Sequence, residues 1–508
     1  MTFRFAVPDL DTAVQMPPHR PDAEALAAEL THASLENAVA ALEDWLHTVN
    51  RLALRSEDRL SDLEILHGPC QRLLDELALQ YESRRLPLAA EAREAAAQAR
   101  NLLLELGYGY KRVLMEHTVR LTAEGRRALP FLLSRVMRLL ANTLQAAYST
   151  YSPTPAGTWQ ELHHLYHYAS FYGLDSHPID LPADQPTPAP DATTRKRDTL
   201  ASIYREVLLF ALMDPYHLQP GEARTVIGLV SHFQQFLQVQ PYREDAQGAG
   251  LFLIQANQDR PPRPLSTLGG TVLSPMDKLL DSRDLVAHLQ LIRRRSEEGS
   301  AAELAALPVS EGRPVLLDLL ARLERHWSDP PRRGFQRQPG RHAVDLAPGL
   351  PTIAAVAGGS EIGIERWQVL NESPGGLALR RDGSGQTRVA VGEQIAVRHG
   401  GTGTWQPALV RWVHDEQDAL LECGVQLLAP RLQVLSLRLD AADSPPRPAL
   451  QLPAMISLQR PALLVLARGS FNPGRQCWVN GPEGTAVLRL MRMEDHTQSV
   501  EMVEFKLT

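Results

Sequence analysis

Asn371-Glu372-Ser373-Pro374-Gly375-Gly376 is a short turn between two stretches that read as strands, and Arg332-Arg333-Gly334-Phe335-Gln336-Arg337-Gln338-Pro339-Gly340-Arg341 leads up to it. A turn on a β scaffold presents its polar groups from a fixed frame, which is where ligands are commonly read. Asn371 and Ser373 both donate and accept hydrogen bonds, and the glycines are expected to give positive φ and let the backbone approach a flat ligand. The arginines add planar forks for phosphate oxygens and faces that stack on rings. Together the two stretches suit a phosphorylated nucleotide.

The ordered pair resembles the PilZ domain, a family that binds cyclic di-GMP in bacteria. Its R-x-x-x-R is supplied by Arg333 and Arg337, and its [D/N]-x-S-x-x-G by Asn371, Ser373 and Gly376. The strand-like stretches Leu377 to Leu379, Val389 to Val397, Pro407 to Val413 and Cys423 to Leu428 continue the pattern, so the resemblance covers about residues 331–440. It implies an antiparallel six-stranded barrel with cyclic di-GMP as its ligand. Arg333 and Arg337 would hold phosphates and stack on guanine, and Asn371, Ser373 and Gly376 would contact a guanine edge or the adjoining backbone. Arg332, just before the motif, would favour an intercalated pair of nucleotides. The sequence departs from the family in one respect: about thirty residues separate Arg337 from Asn371, and Ala347 to Gly359 is rich in alanine and glycine. Arg337 and Arg341 form a second R-x-x-x-R, less suitable because Arg341 leads directly into a strand-like run.

Composition bounds the rest. A chain of 508 residues, 44% hydrophobic, suits about three domains with ordinary cores. The net charge of −7 gives no general attraction to nucleic acid or anionic lipid, so a nucleic-acid polymer is not expected as a partner. Cys70, Cys423 and Cys477 are far apart and lack metal-ligand spacing. The chain carries no signal-peptide pattern and no apolar run long enough for a membrane span, which points to a cytoplasmic protein without membrane insertion.

The expected fold is multidomain α + β. Residues 1–20 read as a flexible leader. Residues 21–328 read as an α-helical module, interrupted by a proline-rich loop at 176–194. A PilZ-like barrel follows over 329–440, and a small C-terminal β subdomain over 447–508. Leu35, Val39, Leu42, Leu46 and Val49 draw one helical stripe. Pro69, Gly107 and Gly109 are expected to break or bend helices, Pro130 to begin one, and Met276 to Arg295 to form another.

Other polar clusters read more simply. His163 and His167 lie one turn apart among packing residues with no third ligand, and Arg293-Arg294-Arg295 with Glu297-Glu298 reads as a solvated helix end. Catalytic motifs are absent, so an enzyme is not expected, and neither a metal nor a cofactor is indicated. The resulting expectation is a cyclic-di-GMP receptor in which ordering of the arginine arm reorients a helical module that binds a protein partner. The alternative is an adaptor whose barrel binds no nucleotide and acts through protein contacts.

Overall fold

A computed structural model describes residues 3–11, 22–119, 123–179, 198–267, 273–300, 302–329, 336–381, 385–401, 403–416, 420–454, 461–481 and 484–508. The chain opens with helices α1 (Ala23–Leu30), α2 (Leu35–Arg51), α3 (Ser56–Tyr81), α4 (Ala90–Val119), α5 (Ala123–Ser149), α6 (Thr158–Phe171), α7 (Leu200–Leu212) and α8 (Glu222–Phe233). The stripe read on α2 is the buried one, with Val39, Leu42, Leu46 and Val49 all at or below 1% exposure.

Local chemistry starts these helices. Ser34 accepts from the Asn37 amide on α2, and Thr199 and Ser202 form a reciprocal capping box on α7. The α6 terminus is capped from a distance, since the Asp259 carboxylate accepts from the amides of Gly157, Trp159 and Gln160.

The helices run longer than the sequence suggests. Helix α3 runs through Gly68 and Pro69, α4 runs through Gly107 and Gly109, and α5 begins seven residues before Pro130. Packing overrides propensity here. A Cβ on Gly109 would sit 2.8 Å from Leu63, so this glycine lets α3 and α4 cross closely. Within the expected leader, Phe3 and Phe5 stack on each other and Phe3 meets Tyr168, which holds residues 3–11 against the helices.

A four-stranded sheet in the order β1 (Gln238–Pro241), β4 (Lys278–Asp281), β2 (Leu251–Ile254), β3 (Arg263–Pro264) interrupts the helices. Lys278 to Asp281 was expected to be helical. Both periodicities fit its apolar pair, and the buried run Leu251–Ile254 settles the matter by pairing with it. Helices α9 (Arg283–Glu297), α10 (Ala302–Ala305) and α11 (Arg313–Ser328) follow, and Trp327 ends α11 fully buried, its indole N–H donating to the Leu209 carbonyl at 3.0 Å.

After the short β5 (Gln338–Pro339), strands β6 (Ala343–Pro348), β7 (Glu365–Ser373), β8 (Gly376–Arg381), β9 (Gln394–His399), β10 (Gln406–Glu416) and β11 (Leu420–Leu427) close a ring in the order β6-β7-β8-β11-β10-β9, antiparallel throughout. The expected six-stranded barrel is there. Helix α12 (Gly349–Ala357) lies between β6 and β7 and accounts for the long gap between the two motif halves. The barrel interior is apolar, with Val344, Trp367, Leu379, Val397 and Val425 all buried.

A second closed barrel follows, from β12 (Val434–Leu439), β13 (Arg447–Leu452), β14 (Leu463–Ala467), β15 (Gln476–Gly481), β16 (Gly484–His496) and β17 (Val500–Leu507). Residues 434–439, read from sequence as the end of the first barrel, belong by strand pairing to this second one. Leu350, Ile353 and Val356 of α12 share an apolar cluster with Leu450, Leu463 and Val465, so the helix cements one barrel to the other.

The helical module is fastened to the first barrel. Leu86 and Val389 exchange two backbone hydrogen bonds, each 2.8 Å. Arg85 beside them donates to the Arg388 carbonyl at 2.6 Å and to the buried Glu393 carboxylate. Val389, expected in a barrel strand, serves this junction instead. No described helix is long and apolar enough to cross a membrane.

Candidate functional site

The two halves of the motif, 34 positions apart in sequence, meet in space: Arg337 Nη1 donates to Asn371 Oδ1 at 2.7 Å. Pairing of β5 with the end of β7 achieves this, placing Gln338 opposite Glu372 and Pro339 opposite Asn371. The Gly340 amide adds a bond to the Leu370 carbonyl at 3.0 Å, and a Cβ at Gly340 would meet Val369 Cγ1 at 2.5 Å. The absence of a side chain lets the arm lie flat along β7.

A bulge aims the turn. Trp367 and Val369 point into the barrel, and simple alternation would send Asn371 and Ser373 the same way. The register of β7 against β8 shifts between Val369 and Asn371, so one extra residue reverses the phase and both side chains face out. They are half-buried there, and Ser373 Oγ donates to the Gly376 carbonyl at 3.3 Å.

Gly376 departs from the expected backbone conformation. It does not take positive φ, and it is buried where β8 crosses β11, where a Cβ would overlap the Val425 carbonyl oxygen. The glycine is demanded by the barrel. Arg332 and Arg333 lie outside the described residues, so among the motif arginines Arg337 is the one placed at the site.

Two residues unmarked in the sequence stand beside this turn. His342 Nε2 lies 3.2 Å from His399 Nδ1 and 3.8 Å from the Glu372 carboxylate. These residues sit at the mouth of the barrel, where β6 begins and β7 and β9 end. His342 and His399 are 57 positions apart, and only the β6–β9 register brings them together, so no local signal announces them.

The remaining candidates prove structural. Both nitrogens of buried His163 are engaged, Nδ1 with the Tyr204 hydroxyl at 2.7 Å and Nε2 with the Arg260 carbonyl at 2.9 Å. Burial pushes this imidazole down to about 4. Arg293, Arg294 and Arg295 are paired with Glu324, Glu298 and Glu303. Among the described residues no group of three or more His, Cys, Asp or Glu is arranged to hold a metal ion.

Family models match the chain in three successive parts: the N-terminal domain of the cyclic-di-GMP receptor FimW over residues 21–244, its middle PilZ domain over 251–361 and 359–433, and its C-terminal β-barrel domain over 434–508. The cyclic-di-GMP receptor FimW of Pseudomonas aeruginosa is 24% identical over an alignment of 558 residues, covering 94% of this chain and 89% of that protein. No solved structure matches the chain. The likeness read from residues 331–440 thus extends along almost the whole sequence. A closed barrel that carries Arg337 beside the Asn371 turn, matched as a PilZ domain over residues 251–433 and flanked in order by its two companion domains, shows that the chain contains a PilZ domain.

Proposed function

We propose that this protein is a cyclic-di-GMP receptor whose ligand lies on the outer face of the first barrel, between the arginine arm and the turn at Asn371. The observation that carries this reading is the bond from Arg337 to Asn371, which joins the two motif halves on one outward-facing surface. Cyclic di-GMP offers two phosphodiesters and two guanines. The Arg337 fork suits a phosphate or a guanine face, and Asn371 and Ser373 suit a guanine edge. Arg333 would supply the second fork and Arg332 would support an intercalated second nucleotide. Gly376 contributes by fixing the turn.

The arm is anchored at both ends, which gives binding a mechanical outlet. Upstream, the Gly250 amide donates to the Ser328 carbonyl at 2.6 Å and Ser282 Oγ donates to the Trp327 carbonyl. Downstream, β5 is paired with β7. A ligand that gathers Arg332 and Arg333 onto the barrel would pull on α11 and, through it, on the helical module that receives a protein partner. Reorienting that module requires the contact between Leu86 and Val389 to yield, together with the pair of Arg85 and Glu393. Ligand binding alters function only through different affinity for the two arrangements.

Titration calorimetry with cyclic di-GMP on the whole chain, beside an Arg333→Ala, Arg337→Ala double variant, tests the reading. Saturable binding that the variant loses is expected, with a stoichiometry near two if Arg332 supports a nucleotide pair. A folded wild-type protein that takes up no ligand would transfer the function to the protein contacts of the helical module.

A further inference from the structure

The second barrel has two unlike outer faces. One, made by β13, β14 and the start of β17, is apolar and lies against α12. The other spans β12, β15, β16 and the end of β17. Its register sets out two neighbouring rows. Arg438, Trp478 and Val487 are cross-strand partners in one, and Gln476, Arg489 and Lys506 in the next. Leu437, Cys477, Val479 and Leu488 of the same strands are buried in the barrel interior, so the residues of both rows alternate outward.

The charge on this face is positive. Arg489 and Lys506 make no ion pair among the described residues, and both are exposed. Arg438 uses one nitrogen on the Ala442 carbonyl at 2.9 Å. The nearby carboxylates are already engaged, Glu504 by Arg492 at 3.3 Å and Asp440 by Arg475 at 2.9 Å. Trp478 is half-buried, and no described cation or ring stacks on its indole.

We infer that this face binds a single-stranded polynucleotide, one base stacked on Trp478 and the flanking phosphates on Arg438 and Arg489 with Lys506. Geometry favours this occupant over an acidic peptide. Directly opposed side chains on adjacent strands stand about 5 Å apart and diagonal ones about 7–8 Å. Trp478 is therefore next to Arg438 on one side and diagonal to Arg489 on the other, so a ring lies between cations as a base lies between phosphates. An acidic peptide would use the cations and leave the indole idle. Binding is sequence-tolerant, because every base has a face to stack. The overall charge of −7 hides the patch, whose residues come from four strands spread over the last 71 positions, 438 to 508.

Fluorescence anisotropy of a labelled fifteen-nucleotide oligothymidylate with the full chain at low salt tests the inference. Saturable binding is expected, and with three phosphate contacts the logarithm of affinity should fall against the logarithm of salt with a slope of about −2. Trp478→Ala should weaken it about five- to a hundred-fold, Trp478→Phe much less, and an Arg489→Glu, Lys506→Glu double variant should abolish it, with unchanged circular dichroism in each. An Arg337→Ala variant should bind the strand like wild type, which separates this face from the cyclic-di-GMP site. Absence of binding at low salt, indifference to Trp478→Ala, or equal binding of a polyglutamate peptide of the same length would overturn it.

Discussion

Gly376 shows how a motif residue can carry a packing constraint that the motif does not state. Its type was readable from the spacing after Asn371 and Ser373, but not the crossing strand beneath it, which comes from 49 positions downstream at Val425. Gly376→Ala should therefore lower the thermal midpoint, by overpacking worth about 1–3 kcal/mol, as well as weaken ligand binding. A variant with wild-type stability and lost affinity would restore the ligand-approach role. Arg337→Ala should do the reverse, losing a charge-assisted contact of about 1.5–3 kcal/mol, or roughly ten- to a hundred-fold in cyclic-di-GMP affinity, at little change in midpoint. Calorimetry beside a melting curve separates the two. The histidines carry a different signature. His67 accepts from Arg135 at Nε2 and meets the Tyr110 hydroxyl at Nδ1, and burial, with Arg135 alongside, pushes it from its ordinary 6.5 down to about 4. The unfolded chain thus takes up this proton first as pH falls. Its contribution to stability is complete above about pH 6.5 and drains away between there and about 4, at up to about 1.4 kcal/mol per pH unit. His67→Gln, which can keep both hydrogen bonds without titrating, should flatten that acid limb in denaturant melts taken from pH 7 to 4.

At the scale of elements, the barrel strands were legible because their alternation is strong and the turn chemistry between β7 and β8 is local. The helix breaks were not. Pro69 and Gly109 sit inside long helices whose neighbours compensate, and sequence-local propensity contains no neighbours. The spacing anomaly before Asn371 has a plain cause in α12, an insertion that never disturbs the ring of strands because it leaves the barrel wall after β6 and returns at β7. The bulge at Leu370 and the pairing of β5 are what convert a linear motif into a surface. Gly340→Val should lift the arm from β7 by forcing a side chain against Val369, and should cost cyclic-di-GMP affinity about as much as Arg337→Ala while Arg337 itself is intact. Undiminished affinity would mean that the arm reaches its ligand without β5.

Across the whole molecule the junction at Leu86 and Val389 governs how far a signal can travel. Glu393 is buried and its carboxyl is raised by that burial even with Arg85 beside it, so Arg85→Ala would strand an acid in an apolar seam. Hydrogen exchange should then show lost protection at the Leu86 and Val389 amides and unchanged protection within α3 to α5. The same two amides report on the wild type, where added cyclic di-GMP should lower their protection if the module turns, and leave it alone if the ligand acts on the barrel only. None of this seam was visible in the sequence, since residues 303 and 308 positions apart carry it.

Ring closure in both barrels has a further consequence for how such a chain behaves in company. A strand hydrogen-bonded on both sides has no row of amides and carbonyls to offer, so ring closure leaves either barrel little edge for a strand from another molecule. Among the described residues the open borders are short: β5 with two residues, β3 with two, β1 with four ending at Pro241, and the ends of β10 and β16 that run past β9 and β15. Cross-chain templating through these sheets is thereby starved of length.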